Sequence, residues 1–387
     1  MSNPPTAPDE QIARLIDDGY DMVLSGGHLV VRRLPYASPA GLRRGGRLVL
    51  PVTYSGGVVA DATDHRIWFA GDEPRDDRGA ALGTGGQGHG FGNGETADFM
   101  LSFKPPSGAY ASLSEKIRRY AHILLSAARQ FDSTVTDTPG GSFQVVPDDL
   151  PLMYADTNTA RVGLTNLNRL FRGHTIAIVG VGGTGSYILD HVAKTWVDRI
   201  ILIDGDVFEH HNAYRAPGAA AEQVVLAKPN KAVHFALEYS RMHQGITAHP
   251  VALTANNLDL LEGATFVFLA AADADARPVI MRWLRDRGVP FVDVGMSFRE
   301  GQGGLTGIAQ ATAYLPGNEV TLPTAPPVPP GEDDYGSNVQ VAELNALNAA
   351  LAVIRWKRHL GFYATYEESN QAIFKLYLNE LRNGDAP

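Results

Sequence analysis

The chain has 387 residues, with 33 Lys and Arg against 42 Asp and Glu for a formal net charge of −9, and it contains no cysteine. Those figures exclude a disulfide framework, a cysteine-ligated zinc or iron–sulfur centre and a thiol nucleophile supplied by this chain. The acidic balance argues against a nonspecific nucleic-acid or anionic-membrane partner. The opening MSNPPTAPDE lacks the basic and apolar regions of a signal peptide, and the longest apolar run, 264–272, is too short to span a bilayer, so a soluble, cytoplasmic protein of two domains is expected.

In chain order, β-rich runs at Tyr20–Leu24, His28–Arg32, Arg47–Tyr54 and Arg66–Ala70 are separated by close turn signals, as in a small antiparallel sheet. Residues 79–94 hold eight glycines in sixteen positions and read as an exposed loop. Leu113–Phe131 carries a helical stripe of Ile117, Tyr120, Ile123, Leu124 and Ala127, opened by Ser112 or Ser114. Residues 1–150 are therefore expected to form an α+β domain, whose role no residue assigns.

Beyond residue 172 strands and helices alternate. Strands are expected at Thr175–Gly180, Arg199–Asp204, Thr247–Ala252, Thr265–Ala270 and Pro290–Val294, with helices at Thr184–Trp196, Asn230–Met242 and Ala276–Arg287. That alternation predicts an α/β, doubly wound parallel sheet of Rossmann type over a domain spanning 151–387. A proline-rich segment, 316–331, carries six prolines and reads as a second exposed loop. Val339–Leu360 follows as a long helix with Val341, Leu344, Leu347, Leu351, Ile354 and Trp356 on its apolar stripe, and the polar run Gln340, Glu343, Asn345 and Asn348 is expected to consist of satisfied buried groups, with contact to a substrate tail as the alternative.

Two segments match G-x-G-x-x-G. Gly83–Gly88 lies inside the glycine-rich segment with no strand before it and no helix after it, which gives it no phosphate-binding context. The other, Gly180, Gly182 and Gly185 with Gly183 between them, follows the strand TIAIV and opens a helix. There the glycines allow a tight turn and close backbone approach, and the helix N-terminus offers free N–H groups to an anion. Asp204 comes nineteen residues after Gly185, at the end of the next strand, where an acid can bind ribose hydroxyls. A nucleotide is expected here. The histidines His65, His89, His122 and the adjacent pair His210 and His211 lack metal-ligand spacing.

After the glycine loop come Asp204-Gly205-Asp206, then Asn212-Ala213-Tyr214-Arg215, then Lys228-Pro229-Asn230-Lys231, and then Asp273 after an apolar strand, in that order. This succession resembles the ThiF-type adenylyltransferases, the nucleotide-binding core of ubiquitin-activating enzymes, and the segments Val292–Met296, Asn338–Asn348 and Trp356-Lys357 resemble a bacterial branch of that family found in ubiquitin-like conjugation systems. The resemblance implies ATP and Mg²⁺ as cofactors and adenylation of the C-terminal carboxylate of a ubiquitin-like protein. It implies that Arg215 and Lys231 contact phosphates, that Asn212 orients them, that Asp273 holds Mg²⁺, and that Asp204, supported by Asp206, takes the ribose. Lys228 is the alternative to Lys231, and Asp275 the alternative to Asp273. The family also sends an arginine to the γ-phosphate, carried here to Arg161, with Arg169 and Arg172 as alternatives, in trans across a homodimer.

The sequence departs from the family in its lack of cysteine. Members that bind zinc or form a thioester need one, and the segment 316–331, where the resemblance places a crossover loop, offers only Thr321 and Thr324. The acyl group is then expected to pass to the cysteine of a conjugating enzyme or to a hydroxyl of this chain. The competing expectations are an adenylyltransferase acting on a tRNA base or small molecule, a nicotinamide-dependent oxidoreductase, and a non-catalytic partner of an activating enzyme.

Overall fold

The computed structural model describes residues 8–55, 58–92, 94–146, 149–271, 276–317, 339–366 and 369–384. The chain divides into two compact units, the first ending at Arg169 and the second beginning at Leu170.

In the first unit, α1 (Glu10–Asp17) precedes the strands β1 (Asp21–Ser25), β2 (His28–Ser38), β3 (Gly41–Ser55), β4 (Val58–Asp61), β5 (Arg66–Ala70), β6 (Gly83–Phe91) and β7 (Glu95–Ser102). Then come α2 (Leu113–Ala128), β8 (Ser142–Val145), α3 (Thr157–Arg161) and α4 (Thr165–Asn168). The strands form one sheet in the order β6-β7-β5-β3-β2-β1-β8, with β4 on β3, and every pairing is antiparallel except β1 with β8. Period-2 alternation places Leu29, Val31, Leu48 and Leu50 against Ile12 and Leu15 of α1 and Ile117, Tyr120 and Leu124 of α2. The intervening Val30 and Val49 join Ala70, Phe91 and Ala97 in a smaller cluster. Ser112 is the N-cap of α2, its hydroxyl accepting from the Glu115 N–H at 3.1 Å.

The glycine-rich segment is not a loop. Residues 83–91 form the edge strand β6, paired with β7 through a register shift between Gly85 and His89. Several of its glycines are there for close approach, whereas Gly86 has φ +105° and open space at its Cβ position. A Cβ on Gly83 would lie 2.8 Å from the Met100 carbonyl oxygen, one on Gly88 2.6 Å from Thr96 Cγ2, and one on Gly90 2.6 Å from Asn166 Cγ. On the Val30 and Phe91 side, the fully buried His28 meets His89 with Nε2 to Nε2 at 2.9 Å, and His89 stacks on Trp68 with centroids 4.8 Å apart. His28 Nδ1 donates to the Gly26 carbonyl at 2.8 Å, which leaves its Nε2 as the acceptor and makes His89 the Nε2–H tautomer.

In the second unit, β9 (Thr175–Val179), α5 (Gly183–Val192), β10 (Arg199–Ile203), α6 (His210–Ala213), α7 (Glu222–Ala227), α8 (Lys231–Tyr239), β11 (Ile246–His249), β12 (Phe266–Leu269), α9 (Ala276–Asp286) and β13 (Phe291–Gly301) follow the expected alternation. Five strands run parallel in the order β11-β10-β9-β12-β13, the doubly wound arrangement, and the order reverses between β9 and β12. No strand is expected from the sequence after Pro290–Val294. In the structure β13 continues to Gly301 and turns into β14 (Gly304–Tyr314), and antiparallel β15 (Gln371–Lys375) and β16 (Glu380–Gly384) complete the eight-stranded sheet.

Ala177, Val179, Ile201, Val267 and Leu269 pack on Ile280, Met281 and Leu284 of α9. On the opposite face Phe266 and Phe268 meet Trp356 of α10 (Ala342–His359), at 6.4 and 6.1 Å between ring centroids. The expectation for α10 is corrected at three positions: Ile354 is 43% exposed, Glu343 is exposed, and Asn348, as completely buried as Asn345, leaves its Oδ1 without a hydrogen-bond partner. The proline-rich segment beyond Gly317 lies outside the described residues.

Candidate nucleotide-binding site

At the carboxyl end of β9 the chain turns sharply. Gly180 has φ +83°, and a Cβ on it would lie 2.7 Å from the Ala271 N, so both its conformation and its neighbour require glycine. A Cβ on Gly185 would fall 1.8 Å from the Gly180 carbonyl oxygen. Gly182 differs: nothing lies within 4 Å of its Cβ position, and it starts the ten-residue helix α5 without a side-chain cap. The loop therefore presents open space in front of helix N–H groups that no side chain of this end satisfies.

The next strand holds that loop in place. Asp204, at the end of β10, accepts from the Val181 N–H through Oδ2 at 2.7 Å and from the Asp206 N–H through Oδ1 at 2.9 Å. Burial pushes its carboxyl up, against the pull of those two N–H groups. Asn230 caps α8 by accepting from the Val233 N–H at 3.1 Å, and its amide donates to the carbonyls of Asp204 and Asp206 at 2.8 and 3.0 Å. This brings Lys231, whose side chain is 10% exposed, to Asp206, with Nζ to Oδ2 at 2.8 Å. Lys228 instead ends α7 in a left-handed conformation, φ 47°, and its ammonium pairs with Glu209 at 2.9 Å. The structure thus groups Lys231, and not Lys228, with Asp204 and Asp206.

Asn212 is 3% exposed in α6. Its Oδ1 accepts from the Glu209 N–H at 2.8 Å, while its Nδ2 is buried without a hydrogen-bond partner. The Arg215 N–H donates to the Asn212 carbonyl at 3.1 Å, so Asn212 and Arg215 belong to one turn, with Arg215 half-buried. Arg277 pairs with Asp293 on β13 and donates to the Val294 carbonyl.

Of the remaining expected residues, Asp273 and Asp275 lie outside the described residues, as do Thr321 and Thr324. Among the described residues no group of three or more His, Asp or Glu side chains could hold a metal ion. Arg161 is the exposed last residue of α3 in the first unit. Arg169 donates to the Gly92 carbonyl in that unit, and Arg172 pairs with Asp198 at 2.8 Å in the second. Sequence reasoning missed the cap at Asn230, which an Asn directly before a helical Lys could have signalled, and the contact of Asn345 with the loop. The signal for that contact was Gly183, a glycine the fingerprint does not ask for.

Residues 10–157 match the model of a domain of unknown function, DUF6791, and residues 155–330 match the ThiF family model. Compared with curated proteins, the chain has no match. Among solved structures, PaaA shares 17% identity over 59% of this chain and 70% of its own, with a TM-score of 0.47. Escherichia coli MccB, solved with ATP, shares 16% over 60% and 70%, with a TM-score of 0.48. The microcin C7 biosynthetic enzyme MccB with N-formylated MccA shares 18% over 58% and 69%, with a TM-score of 0.47. The chain therefore carries a ThiF-family domain behind a DUF6791 domain.

Proposed function

We propose that this chain is an ATP-dependent adenylyltransferase that activates the C-terminal carboxylate of a ubiquitin-like protein. One observation carries the reading. The open, uncapped start of α5 at Gly182, the unpartnered buried Nδ2 of Asn212, and Lys231 all belong to the segments that leave the carboxyl ends of β9 and β10. Open helix N–H groups and an unpartnered amide, beside a lysine held in place by the exposed carboxylate of Asp206, suit a polyphosphate, and the strand ends beside a switch point are where such a ligand binds. A nicotinamide-dependent oxidoreductase would leave the Asn212–Arg215 turn and Lys231 without a task.

The proposed chemistry asks little of a base. A C-terminal carboxylate is ionised at neutral pH. One of its oxygens attacks the α-phosphorus of ATP, the bond from that phosphorus to the bridging oxygen breaks, and pyrophosphate leaves with the electron pair, so no proton moves. What the protein supplies is charge and donors over the transferring phosphate. Arg215, Lys231 and the α5 N–H groups stabilise the developing negative charge, Asn212 donates from Nδ2, and Asp204 keeps the loop in register for the ribose. Mg²⁺ would neutralise the pyrophosphate; its expected ligand, Asp273, lies outside the described residues. Arg161 is assigned to the γ-phosphate of the partner's site in a homodimer. With no cysteine in the chain, the acyl group leaves for the thiol of a conjugating enzyme, or for a hydroxyl here. Among the described residues no helix is long and apolar enough to cross a membrane.

ATP–pyrophosphate exchange tests this directly, run with ubiquitin-like proteins encoded beside the gene. Exchange should require the free C-terminal glycine of one of them and should vanish in Arg215→Ala and Lys231→Ala. Exchange driven by an amino acid or tRNA instead would move the reading to the small-molecule or tRNA class. No exchange with any acceptor, together with binding of NAD, would overturn it.

A further inference from the structure

Asn345 sits in the first turn of α10, far along the chain from the glycine loop, and is completely buried. A fully buried primary amide gains most when both its ends find partners, and Asn345 does so. Its Nδ2 donates to the main-chain carbonyl of Arg215 at 3.1 Å, and its Oδ1 accepts from the Thr184 hydroxyl at 3.2 Å. One side chain thus ties the second residue of α5 to the turn that carries Asn212 and Arg215.

A separate feature points to the same contact. Gly183 is not one of the three glycines the G-x-G-x-x-G pattern specifies, and its helical position and negative φ do not require glycine. Yet a Cβ there would lie 2.3 Å from Asn345 Nδ2 and 2.6 Å from Cγ. The amide lies directly against the loop backbone, and Gly183 is the residue that makes room for it.

We infer that Asn345 is a positioning residue for nucleotide binding: it fixes the Arg215 turn relative to the N-terminus of α5, so that the arginine and the helix N–H groups address one polyphosphate. It touches no phosphate itself. A packing role alone would explain its burial but would not require that its two hydrogen bonds end on the two segments expected to hold the nucleotide. This inference rests on the ATP-binding reading proposed above.

The test is a double-mutant cycle on ATP affinity, measured by calorimetry on the full chain, with Asn345→Ala, Arg215→Ala and the two combined. Asn345→Ala should weaken ATP binding about tenfold and have little further effect in the Arg215→Ala background, because both act through one contact. Asn345→Asp, nearly isosteric, keeps an acceptor for Thr184 and loses the donation to Arg215. It should reproduce the loss of affinity, and it serves if the alanine variant does not fold. Hydrogen exchange of the peptide containing Arg215 should rise in either variant without ATP. If wild type binds ATP and Arg215→Ala weakens it, while the Asn345 variants bind like wild type or add independently to Arg215→Ala, the inference is wrong and the ATP reading stands. If wild type binds no ATP, both fall.

Discussion

Lowering the pH from 7.5 to 5.5 should destabilise the first unit through His28 and His89. Burial lowers the pKa of His28 to about 3, helped by the neighbouring ring, and that of His89 to about 4. In the unfolded chain both titrate near 6.5. The folded values lie below the unfolded ones, so this stability is complete well above pH 6.5 and is lost as protons bind the unfolded state at lower pH. One pH unit below 6.5, that costs about 1.4 kcal/mol per histidine and about 3 kcal/mol for the pair. Against typical folding stabilities of about 5–15 kcal/mol, the effect is large. His89→Gln can still donate to His28 Nε2 and removes one titrating group, so the acid-induced loss should shrink by about 1.4 kcal/mol relative to wild type. Histidines elsewhere cancel in that difference. Urea titrations at the two pH values, followed by pulse-labelled hydrogen exchange of β2 and β6, read this unit alone, and imidazole Cε1–H resonances read the pKa values directly. An equal acid loss in both proteins, or a His28 resonance titrating near pH 6.5, would refute the reasoning.

Three further outcomes follow from packing. Gly183→Ala should destabilise the second unit by about 1–3 kcal/mol through collision with the Asn345 amide, and adding Asn345→Ala should relieve most of that cost in thermal unfolding. Lys116 is buried in the first unit, with Nζ 2.6 Å from Asp61, 2.9 Å from Thr63 Oγ1 and 2.8 Å from the Asp64 carbonyl. Lys116→Met should cost about 3 kcal/mol in urea unfolding by leaving Asp61 uncompensated, and Lys116→Met with Asp61→Asn should cost less. Gly88→Val should lower stability by about 1–3 kcal/mol because its side chain meets Thr96 across β6 and β7, whereas a free loop would accept the valine without a measurable change.

The parallel strands were legible because each is a short apolar run, most of them next to a helical pattern, and β9 to β12 and the start of β13 fall within a few residues of the expected spans. Glycine misled at β6. Composition cannot separate a glycine kept for mobility from one kept because a neighbouring strand, a threonine methyl or an asparagine occupies the Cβ position, and only the fold supplies those neighbours. β14 is eleven residues long but opens on GLTGIAQAT, which lacks a clean alternation of apolar and polar residues, and β15 and β16 are too short to stand out. In the candidate site, the glycines, Asp204, Asn212 and Lys231 could be read in order because local motifs carry them. Asn345 could not, since the contact that gives it meaning spans some hundred and sixty residues and appears in the sequence only as one surplus glycine.

Asn230 joins α8 to β10 directly, with its amide on two carbonyls at the strand's end, its side-chain oxygen capping the helix, and the Pro229 carbonyl accepting from the Phe208 N–H at 2.7 Å. The excursion from Phe208 to Pro229 is thereby closed at its base like the neck of a bag. A change of length around Gly218, Ala219 and Ala221, which are exposed inside it, should leave Lys231 where the strand puts it. Spacing along the chain is a poor guide to that lysine for this reason: the length of the detour can change while its destination stays fixed.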